Sequence, residues 1–230
     1  MDQRDGIIAR GAAVSGRITK LAASGRRAEM VAVYVDGERA GVLPAERAYA
    51  LGIEVGVVLD RERRGQLDVA LQAARAYAAA VRMLAARPRS THELIRRLRA
   101  KQHPPAAAAE AVGRLASSGL LDDSAFAGHF ARQRMAKGYS GRRIVADLQR
   151  RGVERRVAER AVERVEQDEV GSGASRAETL ARRRIGQLSG LPDQVIVRRT
   201  VGYLARRGFA SGAAVQIVRR LVGRNEETDD

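Results

Sequence analysis

Apolar residues recur at helical spacing through the last two thirds of this chain, and the recurrence is itself periodic. Leu94-Ile95-Arg96-Arg97-Leu98-Arg99, running on to Lys101, is answered by the run 144–148 ahead of Arg150-Arg151-Gly152, and again by 201–204 ahead of Arg206-Arg207-Gly208. With Leu98, Leu148 and Leu204 as anchors the spacings are 50 and 56 residues. Apolar residues succeed each anchor fourteen and seventeen positions on, at Val112 and Leu115, Val162 and Val165, Val218 and Leu221. A period of this size means one supersecondary unit used three times. The pattern predicts a helical array.

Ahead of the array the pattern turns to short β-type runs at 18–22, 30–35 and 39–43, with Asp36-Gly37 between the last two. An Asp-Gly pair flanked by β-branched residues predicts a hairpin, because both residues tolerate the positive φ of a tight turn. Pro44 opens a short helix to about residue 51, residues 56–59 read as a last strand or extended connection, and Asp60 caps the next segment.

Within the array, Leu67, Leu71, Ala74, Ala78, Val81 and Ala85 mark the apolar face of a first helix that Pro88 stops. Ser90 with Glu93 has the form of a capping box, so a second helix starts at Ser90 and runs to about Lys101. Pro104-Pro105 opens a third, with Ala108, Val112 and Leu115 facing inward and Gly119 closing it. Repeat two opens on Asp122-Asp123, then Ala125, Phe126, Phe130 and Met135; Gly138, Ser140 and Gly152 punctuate it, and Val157, Ala161, Val162 and Val165 line its last helix. Residues 166–175, EQDEVGSGAS, have linker chemistry and absorb the six extra residues of the second spacing. Helices at 177–188, 194–207 and 211–222 complete repeat three, where Thr200 and Gly202 weaken the middle helix.

The organisation expected is a disordered start over 1–15, a small β-rich domain over 16–66, and three-helix repeats over 67–121, 122–170 and 176–223. A linker over 171–175 and an acidic tail over 224–230 complete it. Repeats of about 50 residues bury little apolar surface alone, so neighbours must support one another.

Charge then narrows the partner class. Of 42 basic and 27 acidic residues, residues 1–70 hold eleven and ten, so the array carries nearly all of the net +15. Such a field supplies sequence-independent affinity for a polyanion, with nucleic acid or a nucleoprotein ahead of an acidic membrane. No stretch approaches the roughly 18 apolar residues of a spanning helix, and Asp2 and Asp5 spoil a signal-peptide start, so a soluble cytoplasmic protein is expected. Zero cysteines exclude thiol catalysis, disulfides and thiolate zinc, and His92, His103 and His129 never form a spaced pair. No cofactor and no metal are expected.

The candidate binding residues are cations near the end of each second helix: Arg96, Arg97, Arg99 and Lys101 in repeat one, Arg150 and Arg151 in repeat two, Arg206 and Arg207 in repeat three. Cations there complement the helix macrodipole by about 0.3–1 kcal/mol each, but that does not predict a pair at one phase three times. Arg142, Arg143, Arg155 and Arg156 widen the surface, together with clusters at 182–184, 198–199 and 219–220. Asp122-Asp123 has the carboxylates for a magnesium-dependent nuclease but lacks a third acidic ligand and a base; capping explains the pair. Tyr77, Tyr139, Tyr203, Phe126 and Phe130 fit a helical core better than a stacking platform. Gly171-Ser172-Gly173 lacks the lysine and strand of a phosphate loop.

The segments RPRSTHELIRRL, GLLDDSAFAGHFARQRMAKGYSGRRIVADLQRRGV and YLARRGFASGAAVQIVRRL resemble the RecX family of bacterial regulators of the recombinase RecA. The likeness spans about 73–221, with 119–153 its most specific part, and GRITKLAAS through AVYVDGERAGVL is similar to that family's variable N-terminal domain. The resemblance implies a mostly α fold: three tandem three-helix repeats in an elongated curved array behind a small β-rich domain. It further implies a non-catalytic monomer that lies in the groove of the RecA–DNA filament and restrains ATP hydrolysis, filament growth and strand exchange. The basic pairs, with Arg132 and the residues around Phe126, would face the filament and contact single- and double-stranded DNA through phosphates. One departure stands out: repeat one has Gln102-His103-Pro104-Pro105 where the others have Gly152 and Gly208. The alternative is an independent DNA-binding module of helix-turn-helix type, although no second helix has the Asn, Gln and Arg mixture of base-edge readout.

Overall fold

The computed structural model describes residues 16–24, 29–168 and 173–226. The stretch 1–15, the linker positions 171–172 and the tail positions 227–230 lie outside them. The chain divides into two compact units, one of residues up to 87 with 94–118, the other of 88–93 with the residues from 119 on.

In the first unit an antiparallel sheet of order β1-β2-β3 is built from β1 (Ile18–Ser24), β2 (Met30–Val35) and β3 (Glu38–Pro44). Asp36 and Gly37 adopt φ of 51° and 86°, the positive pair a two-residue hairpin needs. Helix α1 (Ala45–Ala50) comes next, and residues 56–59 contribute one bridge, Arg17 to Val58, rather than a strand. Asp60 caps α2 (Arg61–Ala86), its carboxylate accepting from the Arg63 amide at 2.8 Å. The helix therefore starts before Gly65 and crosses the boundary expected at 66. Its first half joins the core under the sheet, where Leu67, Ala70 and Leu71 meet Ile18, Val33, Leu43 and Leu59.

The second half of α2 departs from the expected face. Ala73, Ala76, Ala79 and Ala80 are buried, whereas Ala78, Val81 and Ala85 are exposed. The run from Ala73 to Ala80 is nearly all alanine, so apolar spacing could not choose a phase. Packing against α4 (Pro105–Ser117) chooses it, with Ala76 against Ala107 and Ala111. Leu94 and Leu98 on α3 (Thr91–Ala100) are fully buried.

The second unit contains α5 (Asp123–Ala136), α6 (Gly141–Gln149) and α7 (Arg155–Asp168), then α8 (Gly173–Gly186), α9 (Asp193–Arg206) and α10 (Ser211–Glu226). Phe126, Phe130, Met135, Ile144, Leu148, Ala161, Val162 and Val165 share one core. Ile185, Ile196, Leu204, Val218 and Leu221 share another. Helix α8 takes in the last three positions of the expected linker, and α10 takes in the first three of the expected tail.

All six residues predicted from the fourteen- and seventeen-residue offsets are buried. The fold is mostly helical, with three tandem three-helix domains behind a three-stranded sheet.

Candidate nucleic-acid interface

The second helix of every repeat ends in the same turn. The anchor carbonyls of Leu98, Leu148 and Leu204 accept from the amides of His103, Val153 and Phe209 at 3.1, 3.1 and 3.2 Å. Between donor and acceptor stand Gln102, Gly152 and Gly208, with φ of 63°, 77° and 90°. This is the left-handed closing turn that satisfies the last helix carbonyls.

Glycine is required in the second unit for a further reason. A Cβ on Gly152 would fall 2.2 Å from the His92 Cβ, and one on Gly208 would fall 2.4 Å from the Arg143 Cβ. Each closing turn is thus pressed against the start of the preceding repeat's second helix. Ser90 donates its hydroxyl to the Arg151 carbonyl, and the Ser140 amide donates to the Arg207 carbonyl at 3.0 Å. Both serines also cap their own helices, accepting from the Glu93 amide at 3.1 Å and the Arg143 amide at 3.3 Å. The hydroxyl arm of the expected capping box is therefore present; the Glu93 carboxylate meets Arg89 at 3.1 Å.

The aligned turns revise the basic pairs. Counted from the anchors, Arg150-Arg151 and Arg206-Arg207 match Ala100-Lys101 in repeat one, so Arg96, Arg97 and Arg99 lie outside the shared phase. The inner arginine of each pair is packed. The Arg151 guanidinium carbon lies 4.7 Å from the Phe130 ring centroid, and that of Arg207 lies 3.8 Å from Tyr203. Such stacking contributes about 0.5–1 kcal/mol when exposed and about 2 when desolvated.

Arg150 bonds the carboxylate of Asp147, a residue only 5% exposed, and Arg143 reaches the same carboxylate at 3.3 Å. A buried carboxylate without partners is costly, so both arginines keep Asp147 tolerable. Arg155 meets Glu159 at 2.7 Å, and that hydrogen bond and the carboxylate's charge raise its pKa above the ordinary arginine value. Arg96, Arg99, Lys101, Arg132, Arg142, Arg156 and Arg206 are exposed and form no ion pair among the described residues; Arg97 is exposed as well. Phe126 is buried in its core.

The second unit brings Arg142 and Arg143 to one depression with Ala205, Gly208 and Ser211, a cavity of about 410 Å³ where α6 starts and α9 ends. Arg96, Arg97, Arg99 and Lys101 belong to the first unit. Asp122 and Asp123 are caps. Asp122 accepts from the amides of Ser124 and Ala125 at 2.7 and 3.2 Å, and Asp123 accepts from the Thr91 amide at 2.7 Å. The sequence patterns did not reveal the arginine–aromatic stacks. Phe130 with Arg134 and Tyr203 with Arg207 carry a local signal, a spacing of four, whereas Arg151 on Phe130 spans 21 residues and carries none.

Fold and site together define a tandem three-helix-repeat protein whose helix ends present exposed cations. Family models described as the first, second and third three-helix domains of RecX match residues 76–115, 122–162 and 174–228. The chain belongs to the RecX family. It is 35% identical to a regulatory protein RecX of Thermobifida fusca over 64% of this chain and 78% of the relative. Against the regulatory protein RecX of Amycolatopsis mediterranei the figures are 33%, 60% and 77%. A crystal structure of regulatory protein RecX aligns at a TM-score of 0.70 and 19% identity, covering 89% of this chain and 99% of that one. RecX from Lactobacillus salivarius aligns at 0.55 and 20%, over 65% and 96%. The relatives are named regulatory proteins, and a regulatory role is the function they support. Among the described residues no helix is long and apolar enough to cross a membrane.

Proposed function

We propose that this protein is a non-catalytic cytoplasmic monomer that lies in the groove of the RecA–DNA filament and restrains ATP hydrolysis, filament growth and strand exchange. The observation that carries the reading is a set of exposed cations, centred on Lys101, Arg142 and Arg206, without acidic partners among the described residues and at or beside closing turns of one geometry. Cations held on rigid helix ends neutralise phosphates and release counterions without reading base sequence. Arg132 and Arg156 add exposed charge in the second unit, and Arg96, Arg97 and Arg99 add it in the first. Arg150, Arg151, Arg155 and Arg207 contribute charge while remaining tied to Asp147, Phe130, Glu159 and Tyr203.

The test is RecA-dependent ATP hydrolysis on single-stranded DNA, titrated with this protein and with a Lys101→Glu, Arg142→Glu, Arg206→Glu variant. The native chain should slow hydrolysis at substoichiometric amounts, and the variant should need at least tenfold more. Helical content should match between the two, since none of the three side chains makes an ion pair among the described residues. The independent DNA reader is less well supported, because no second helix has the Asn, Gln and Arg mixture of base-edge readout. Protection of one DNA sequence over others would favour that reader.

A further inference from the structure

Where repeats two and three meet, a cavity of about 650 Å³ is lined by Lys137, Tyr139, Arg176, Arg183, Tyr203 and Arg207 among others. The volume is in the range of small-molecule sites. Four cations contribute to the lining and, among the described residues, no carboxylate does. Arg176 is answered by Glu166 at 2.8 Å. Lys137 and Arg183 form no ion pair among the described residues, and both are exposed.

Arg207 is held differently. Its guanidinium carbon sits over the Tyr203 ring, and its Nε is closed off from solvent and has no hydrogen-bond partner among the described residues. A buried N–H in that condition demands an acceptor. Gly138 closes α5 at φ 77°, and a Cβ there would come within 3.5 Å of that Nε and 3.0 Å of Leu180, so the absence of a side chain keeps this wall open.

We infer that this cavity is an anion site that takes phosphate groups through Lys137, Arg183 and Arg207. The Tyr203 ring is spent on Arg207 and the Tyr139 ring on Arg134, whose guanidinium carbon is 5.0 Å away, so the site recognises phosphate rather than a base. The phosphate comes from one of two sources, a free oligophosphate or the backbone of a nucleic acid. For the second source the inference rests on the function proposed above and deepens it.

The experiment uses the full chain without recombinase, so it stands or falls independently of filament restraint. Sodium tripolyphosphate is titrated by calorimetry, and a labelled oligothymidylate by anisotropy across a salt series. The native chain is compared with Lys137→Glu, Arg183→Glu, and with a charge-matched Arg39→Glu, Arg47→Glu control whose exposed side chains lie in the sheet domain. Loss of at least tenfold in tripolyphosphate affinity, specific to the cavity variant, identifies a free oligophosphate. A tenfold loss for the oligonucleotide, with the log–log salt slope shallower by about 1.4 from two lost contacts on a single strand, identifies the backbone. Equal binding of both probes by the native chain and the cavity variant overturns the inference, as does failure of the native chain to bind either probe.

Discussion

Thr200 marks a flaw in the third repeat that one substitution should repair. Four residues before the anchors stand Leu94, Ile144 and Thr200, all three fully buried, and the threonine Oγ1 has no hydrogen-bond partner among the described residues. A buried hydroxyl left unpaired costs about 1–3 kcal/mol. Thr200→Val keeps the shape and removes the polar atom, so thermal unfolding should shift upward by about 2–4 °C per kcal/mol gained; a downward shift would contradict the packing described. Asp122 and Asp123 give the opposite sign. Alanine at either should cost about 0.5–2 kcal/mol, the range for a lost cap, and added magnesium should leave the melting temperature of the native chain unchanged. The Asp122 cap was legible in the sequence, since a short carboxylate before an apolar run has few other uses. That Asp123 reaches Thr91 was not legible, because the bond spans 32 residues. The basic pairs were legible only as charge; which arginine packs depends on Phe130 and Tyr203, whose rotation about their helices is set by the core.

Among the elements, the closing turns tie the repeats together. Gly152 and Gly208 combine a left-handed backbone with close approach to the preceding repeat, whereas Gln102 keeps the same backbone with an exposed side chain. Gly152→Ala and Gly208→Ala should therefore each destabilise by about 2 kcal/mol or more, adding contact strain to the roughly 1–2 kcal/mol of left-handed backbone. Gln102→Gly should be neutral or stabilising by up to about 1 kcal/mol. Chemical denaturation compares the three, and equal costs at all three sites would contradict the repeat contact. Helix ends were readable from their caps and glycines, because capping is local chemistry. The buried face of α2 beyond Leu71 was not, because alanine offers the same side chain on every face.

For the whole chain, period and charge were the most informative features of the sequence. Three anchors and their paired offsets predicted three units, and family models of three three-helix domains match the chain. What the period could not reveal is how the field of +15 is used. Part of it is internal bonding: Arg143 and Arg150 hold Asp147, Arg155 holds Glu159, and Arg151 and Arg207 cover aromatic rings. Exposed cations such as Lys101, Arg142 and Arg206 have no ion pair among the described residues, and on them the proposed function depends. The most direct measurement is the rate of RecA-driven ATP hydrolysis on single-stranded DNA as this protein is added. The account predicts slowing at substoichiometric amounts, weakened at least tenfold by reversing Lys101, Arg142 and Arg206 together. Hydrolysis that stays constant over a wide titration of the native chain would contradict it.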